Sequence, residues 1–153
     1  MDKLLEQYFK ELEKYSDLNN PDNDMPFSDI VDKIVLTKNP EAIPLLLKFC
    51  DDDMRCEYTS ESLVSQIEYF EIEDYVPALL TELKSMFVKA SQYCKYFFYT
   101  IFNTPDCLNC LKQNIHLADK ETLLKLLDNI ESDKYRPDER RPIITELRGL
   151  VNK

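Results

Sequence analysis

An eleven-residue pattern occurs twice in this chain, and the repetition limits the possible folds more than any other feature. Asn39-Pro40-Glu41-Ala42-Ile43-Pro44-Leu45-Leu46-Leu47-Lys48-Phe49 is echoed by Glu73-Asp74-Tyr75-Val76-Pro77-Ala78-Leu79-Leu80-Thr81-Glu82-Leu83. Pro44 and Pro77 lie 33 residues apart, each followed at +2 and +3 by a pair of leucines. That interval is too long for one helix and suits a helix–turn–helix unit, which stacks on copies of itself because neither copy can bury its apolar face alone. The expected fold is all-α, a short α-solenoid of antiparallel helical pairs forming one domain over residues 1–153.

Glycine supports this by its scarcity. Gly149 is the only one, and tight hairpins, phosphate-cradling loops and dinucleotide-binding turns all draw on residues that tolerate positive φ. A β-rich fold, a P-loop and a Rossmann fingerprint are therefore disfavoured across residues 1–148. Five cysteines make an odd number. With no leader-like segment and no run of about 18 apolar residues, the expected setting is the cytosol, with reduced thiols.

Periodicity places the helices. Leu4, Leu5, Tyr8, Phe9, Leu12 and Tyr15 recur at three- and four-residue spacing, predicting an amphipathic helix over about 2–16. Asn19-Asn20-Pro21-Asp22-Asn23-Asp24 is loop chemistry. Ser28 is the expected N-cap of a helix carrying Ile30, Val31, Ile34 and Val35, and Asn39 of one with Pro40 at its first position. The matching placement of Pro44 and Pro77 predicts that the two repeat helices share one geometry. A helix opens at Ser60-Glu61 and carries Leu63, Val64, Ile67 and Phe70. Tyr93, Cys94, Tyr96, Phe97, Phe98, Tyr99, Ile101 and Phe102 make an aromatic helix that is mostly core, in which any outward tyrosine would be a good contact residue. Thr104 and Asp119 cap two further helices. The last helix spans 138–150 and is stopped by Gly149; its Arg140, Arg141 and Arg148 are expected on the polar outer face of a capping element. The total is about nine helices.

Charge is unevenly spread. The net charge is −10, yet residues 17–74 hold 15 Asp/Glu against 4 Lys/Arg, residues 75–117 hold 2 against 4, and residues 118–153 hold 8 against 8. A face of that sign repels nucleic acid and anionic membranes and attracts a basic partner.

No catalytic constellation, cofactor site or metal site is expected. Cys107-x-x-Cys110 and Cys50 with Cys56 could in principle supply four thiolates to zinc. The Cys107–Cys110 pair falls inside the helix opening at Thr104, however, and lacks a knuckle, so these cysteines read as small buried apolar residues. A thioredoxin-type role lacks its βαβ context. His116 is the sole histidine and has no evident partner. Carboxylate pairs such as Glu68 with Glu71, or Glu73 with Asp74, read as polar helix ends rather than acid–base pairs across a pocket.

The order of an amphipathic helix, a short Val/Ile helix, Asn39-Pro40-Glu41-Ala42-Ile43-Pro44-Leu45-Leu46-Leu47, an Asp-rich turn, a helix ending in Phe70, and Asp74-Tyr75-Val76-Pro77-Ala78-Leu79-Leu80 resembles small acidic immunity proteins. These are encoded beside bacterial polymorphic toxins, including contact-dependent growth inhibition systems, and some are HEAT-like α-solenoids. The likeness covers about residues 1–130. It implies a cytosolic antitoxin with no activity of its own, a monomer that binds one cognate toxin domain 1:1; such toxins are very often nucleases, tRNA-cleaving ones among them. A nuclease must present Lys and Arg to phosphate, so carboxylates could fill the same cleft. The expected contact residues are Asp51, Asp52 and Asp53, then Glu57, Tyr58 and Glu61, then Glu68, Tyr69, Glu71, Glu73 and Asp74, along one edge of the stack. The competing expectation is a generic HEAT-like adaptor joining two other proteins.

Overall fold

The computed structural model describes residues 1–53 and 57–153, and the side chains of all of these except 57–61. Among the described residues there are nine α-helices and no strand. They are α1 (Lys3–Glu13), α2 (Asp24–Leu36), α3 (Ala42–Leu47), α4 (Glu57–Ile67), α5 (Ile72–Lys89), α6 (Ser91–Asn103), α7 (Pro105–Gln113), α8 (Lys120–Ser132) and α9 (Pro137–Val151). Short 3₁₀ turns at Pro21–Asn23 and Ile115–Leu117 join them. The chain is all-α, as the periodicity requires.

Contacts between helices follow two rows. In one, α2 packs on α4, α4 on α6 and α6 on α8; in the other, α3 packs on α5 and α5 on α7. Cross-contacts of α2 with α3, α5 with α6, α6 with α7 and α8 with α9 tie the rows together. Helix α5 is the central post, with apolar contacts from Tyr75, Val76, Leu79, Leu80, Leu83 and Met86, all buried. Both leucine pairs of the repeat, Leu46–Leu47 and Leu79–Leu80, are fully enclosed where α3 meets α5 and its neighbours. Each such side chain contributes about 1.5–3 kcal/mol by leaving water. Buried apolar residues form one continuous cluster from Leu5 to Leu147.

Several boundaries differ from expectation for local reasons. The two repeat prolines do not share one geometry. Asn39 caps a turn instead of a helix, its Oδ1 accepting from Glu41 N at 3.0 Å, and α3 begins only at Ala42. Pro44 is thus the third helical residue, where no intrahelical N–H is needed. Pro77 is the sixth residue of an 18-residue helix, so it leaves the Glu73 carbonyl without its i+4 donor. The repeat is shared at the buried leucines and not at the helix starts.

Helix α2 begins at Asp24, four residues before the expected cap, because the 3₁₀ turn runs straight into it. Ser28 instead helps join α2 to α4. The buried Gln66 side chain donates to Asp32 Oδ1 at 2.6 Å, to the Ser28 carbonyl at 3.0 Å and to Ser28 Oγ at 3.3 Å. Helix α4 starts at Glu57, not Ser60, and ends at Ile67. Thr104 makes no side-chain cap; its hydroxyl donates back to the Thr100 carbonyl at 3.0 Å. Gly149 does not stop α9, which continues to Val151 with no glycine at positive φ. Among the described residues the left-handed positions are held by Lys38 (φ 53°) and Arg136 (φ 49°). Asp119 does cap α8, accepting from Thr122 N at 3.1 Å.

Candidate partner-binding surface

Among the described side chains, Asp51–Asp53 and Glu71–Asp74 lie at opposite ends of α5. The backbone N–H of Asp52 donates to the Lys89 carbonyl at 2.9 Å, which fixes Asp51–Asp53 beside the C-terminus of α5. Glu71 is the N-cap residue of that helix, and Glu73 and Asp74 occupy its first turn, where carboxylates are favoured by the helix dipole. Seventeen steps at 1.5 Å place Ile72 and Lys89 about 26 Å apart. Asp51–Asp53 and Glu71–Asp74 thus form two acidic rims, one at each end of α5.

At the first rim the three aspartates are not equivalent. Helix α6 starts after Ala90, which has no side chain able to cap it, and Asp52 supplies the cap from across the fold. Its carboxylate accepts from Gln92 N at 3.0 and 3.2 Å and from Ser91 Oγ at 3.1 Å. Gln92 is the second residue of α6, the position a local aspartate cap would serve. Helix α3 ends well before these residues, at Leu47, so the Asp52 carboxylate serves the N-terminus of α6 and not the end of its own helix. Asp51 Oδ1 accepts from Asp53 N at 2.9 Å, a local turn. Asp51 and Asp53, with Asp17, Lys48 and Lys89, line a cleft of about 340 Å³. The Lys89 ammonium donates to the Lys48 carbonyl at 2.7 Å and not to either aspartate.

Ion pairing separates these acids from those of the C-terminal segment. Seven of the eight carboxylates in 118–153 lie within 4.0 Å of a lysine or arginine nitrogen, Asp128 and Glu131 sharing Arg148. None of Asp51, Asp52, Asp53, Glu68, Glu71, Glu73 and Asp74 pairs with a cation among the described residues. The side chains of Glu57, Tyr58 and Glu61 lie outside the described residues.

Tyrosines accompany the second rim. Tyr69 is 80% exposed and Tyr96 is 46% exposed. Val64 of α4 and Tyr96, Tyr99 and Thr100 of α6 line an open cleft of about 290 Å³. Glu68, half-buried one turn beyond Val64, stands beside it against the Thr100 hydroxyl. Burial pushes the Glu68 carboxyl above its usual range, an effect the Thr100 hydroxyl partly offsets. Its Oε1 is closed off from solvent and has no hydrogen-bond donor among the described residues.

Tyr99 is held on two sides. Its hydroxyl donates to Asp133, which also faces the Lys95 ammonium at 3.6 Å, and the Arg140 guanidinium stacks 3.8 Å from its ring centre. Burial and the Asp133 carboxylate push the Tyr99 phenol up to about 12. Arg140 is thus buried between Tyr99 and Tyr135 and not on an outer polar face. The stack could not be found by reading the sequence, because the three residues lie in different elements with no fixed spacing. Arg148 ties α9 to α8 through Asp128 at 2.6 Å and through Glu131.

Cysteines line the interior. Cys50, Cys94 and Cys107 are buried, and burial raises Cys50 and carries Cys94 up to about 12. Cys107 Sγ lies 3.3 Å from the Tyr75 hydroxyl, linking α7 to α5. Cys56 lies outside the described residues. His116 is exposed in the Ile115–Leu117 turn.

No helix among the described residues is long and apolar enough to cross a membrane. No curated protein and no solved structure matches the chain. A family model does: the one described as immunity protein 30 matches residues 14–111, well over half of the chain, from the end of α1 to α7 and across both acidic rims. The chain belongs to the immunity protein 30 family.

Proposed function

We propose that the protein neutralises a cognate bacterial toxin domain, a basic nuclease such as a tRNA-cleaving one, by seating its two acidic rims and the exposed tyrosines that accompany the second against the toxin's phosphate-binding face. It acts in the cytoplasm as a monomer in a 1:1 complex, on a short solenoid of stacked helical pairs, and carries out no chemical step itself. The observation that carries this reading is the pairing contrast: seven of the eight C-terminal carboxylates are spent on the chain's own cations, while those of 51–53 and 68–74 pair with no cation among the described residues.

Unpaired carboxylates add long-range attraction and speed encounter with a cationic face. One partner can reach both rims, since a standard interface of about 800 Å² per side is roughly 30 Å across, comparable to the length of α5. Exposed Tyr69 and Tyr96 supply large contact area at low entropy cost.

The test takes the toxin domain encoded by the reading frame directly preceding this one and measures its association rate across about 50–500 mM salt. Charge reversal of Asp51 with Asp53, or of Glu71 with Glu73, to lysine should slow association and flatten its salt dependence. No complex with that domain refutes the toxin reading; unchanged salt slopes in both variants remove the acidic rims from the interface.

A further inference from the structure

We infer that the cleft between α4 and α6 receives an arginine side chain of the bound toxin domain, its guanidinium lying against Tyr96 and Tyr99 and pairing with Glu68. This rests on the immunity reading above and names the group that reading leaves open.

Glu68 has an unmet need. Glu68 Oε1 is shielded from water without a donor among the described residues, and the neighbouring Thr100 hydroxyl has one proton, within 3.3 Å of the Tyr96 carbonyl. A carboxylate in that state is stabilised by an N–H donor carrying positive charge. The last torsion of a glutamate is soft, so either oxygen can turn toward the cleft. An apolar occupant would shut the carboxylate further from water with nothing in return, and an anionic one would be repelled by Glu68.

The walls then select among cations. Tyr96 and Tyr99 offer aromatic surface on which a planar guanidinium stacks, while its fork of N–H groups reaches a carboxylate at the edge; an ammonium does the second and not the first. The molecule already packs a guanidinium in this manner, Arg140 on Tyr99 at 3.8 Å. Asp133 and Arg140 hold Tyr99 in place from outside the cleft, so this wall loses little freedom when occupied.

Two experiments test the assignment. With the toxin domain from the preceding reading frame, Glu68→Gln should raise the dissociation rate and weaken binding by about 30-fold or more, as expected when one partner of a desolvated charge pair is removed. Tyr96→Ala, at a half-exposed position that the core does not need, should weaken it by about 10-fold. A tight complex whose dissociation rate is unchanged in both variants overturns the assignment and leaves the immunity reading standing. If that domain does not bind at all, the immunity reading fails and the second experiment decides the cleft alone. Titration of the free protein with N-acetylarginine amide should shift the backbone amide resonances of Val64 and Thr100 more than N-acetyllysine amide does, and Glu68→Gln should abolish the difference. Equal or absent shifts with the two probes overturn the assignment.

Discussion

Asp52 is the sharpest place to test the reasoning, because a residue that reads as a solvated charge is here the cap of a helix forty residues away. Replacing it with alanine leaves the N-terminus of α6 without its acceptor, since Ala90 offers none. Losing an aspartate cap costs about 1 kcal/mol, and losing its charge from the field of the first turn costs about a further 0.3–1 kcal/mol. The hydrogen bond to Ser91 Oγ at 3.1 Å goes too. Asp52→Ala should therefore destabilise the fold by about 2 kcal/mol, a fall in Tm of about 4–8 °C for a chain of this size. Asp52→Asn keeps an acceptor and should fall between wild type and alanine. Asp53→Ala makes the same change in charge one residue away and should stay within about 0.5 kcal/mol of wild type. Urea unfolding followed by far-UV circular dichroism, with matching m values, measures all three. An Asp52→Ala variant as stable as wild type, or an Asp53→Ala variant equally damaged, refutes the capping argument. The same reasoning makes the Asp51/Asp53 pair, and not all three aspartates, the right target for charge reversal in a binding assay.

Three further outcomes follow from particular residues. Burial raises the Glu68 pKa above 4.5, beside the Tyr75 phenol, so the folded state holds this proton longer than the unfolded chain. Stability is therefore fully present below pH 4.5 and declines as pH rises through the folded value. Glu68→Gln should be more stable than wild type at pH 7 and indistinguishable at pH 4 in chemical unfolding; a less stable variant at pH 7 would contradict the burial argument. Lys38 sits at φ 53° after α2, so Lys38→Gly should stabilise by about 0.5–1 kcal/mol, and a loss of stability on thermal melting would count against strain there. Cys50, Cys94 and Cys107 are enclosed, so they should react with Ellman's reagent only once the protein is unfolded by guanidinium; prompt reaction of the native protein at these three, mapped by mass spectrometry, would contradict the packing.

Much of the fold is readable from spacing alone. The 3.6-residue apolar stripes mark the helices, and the stretch Ile30 to Val35, β-branched enough to suggest a strand, lies in α2 because its apolar residues face one side. The boundaries were less legible where local signals competed. Ser28, Thr104 and Gly149 each carry a cap or stop residue in sequence, yet the hydroxyls found carbonyl or side-chain partners and the glycine remained helical. Of the candidate surface, the sequence shows which segment carries the excess acid and that outward tyrosines would suit an interface. It does not show that Asp51–Asp53 and Glu71–Asp74 lie at the two ends of α5, that Arg140 is buried against Tyr99, or that Glu68 keeps an oxygen without a donor among the described residues.

What the chain determined by itself is what depends on neighbours a few residues away: helical class, from apolar periodicity and the lack of glycine, and the sign and location of its charge. Tertiary structure alone decided which of those charges remain available. A carboxylate's partner is whichever helix end, phenol or guanidinium packing brings within about 3 Å, and for Asp52 that is a backbone amide in Gln92, a residue no local pattern connects to it.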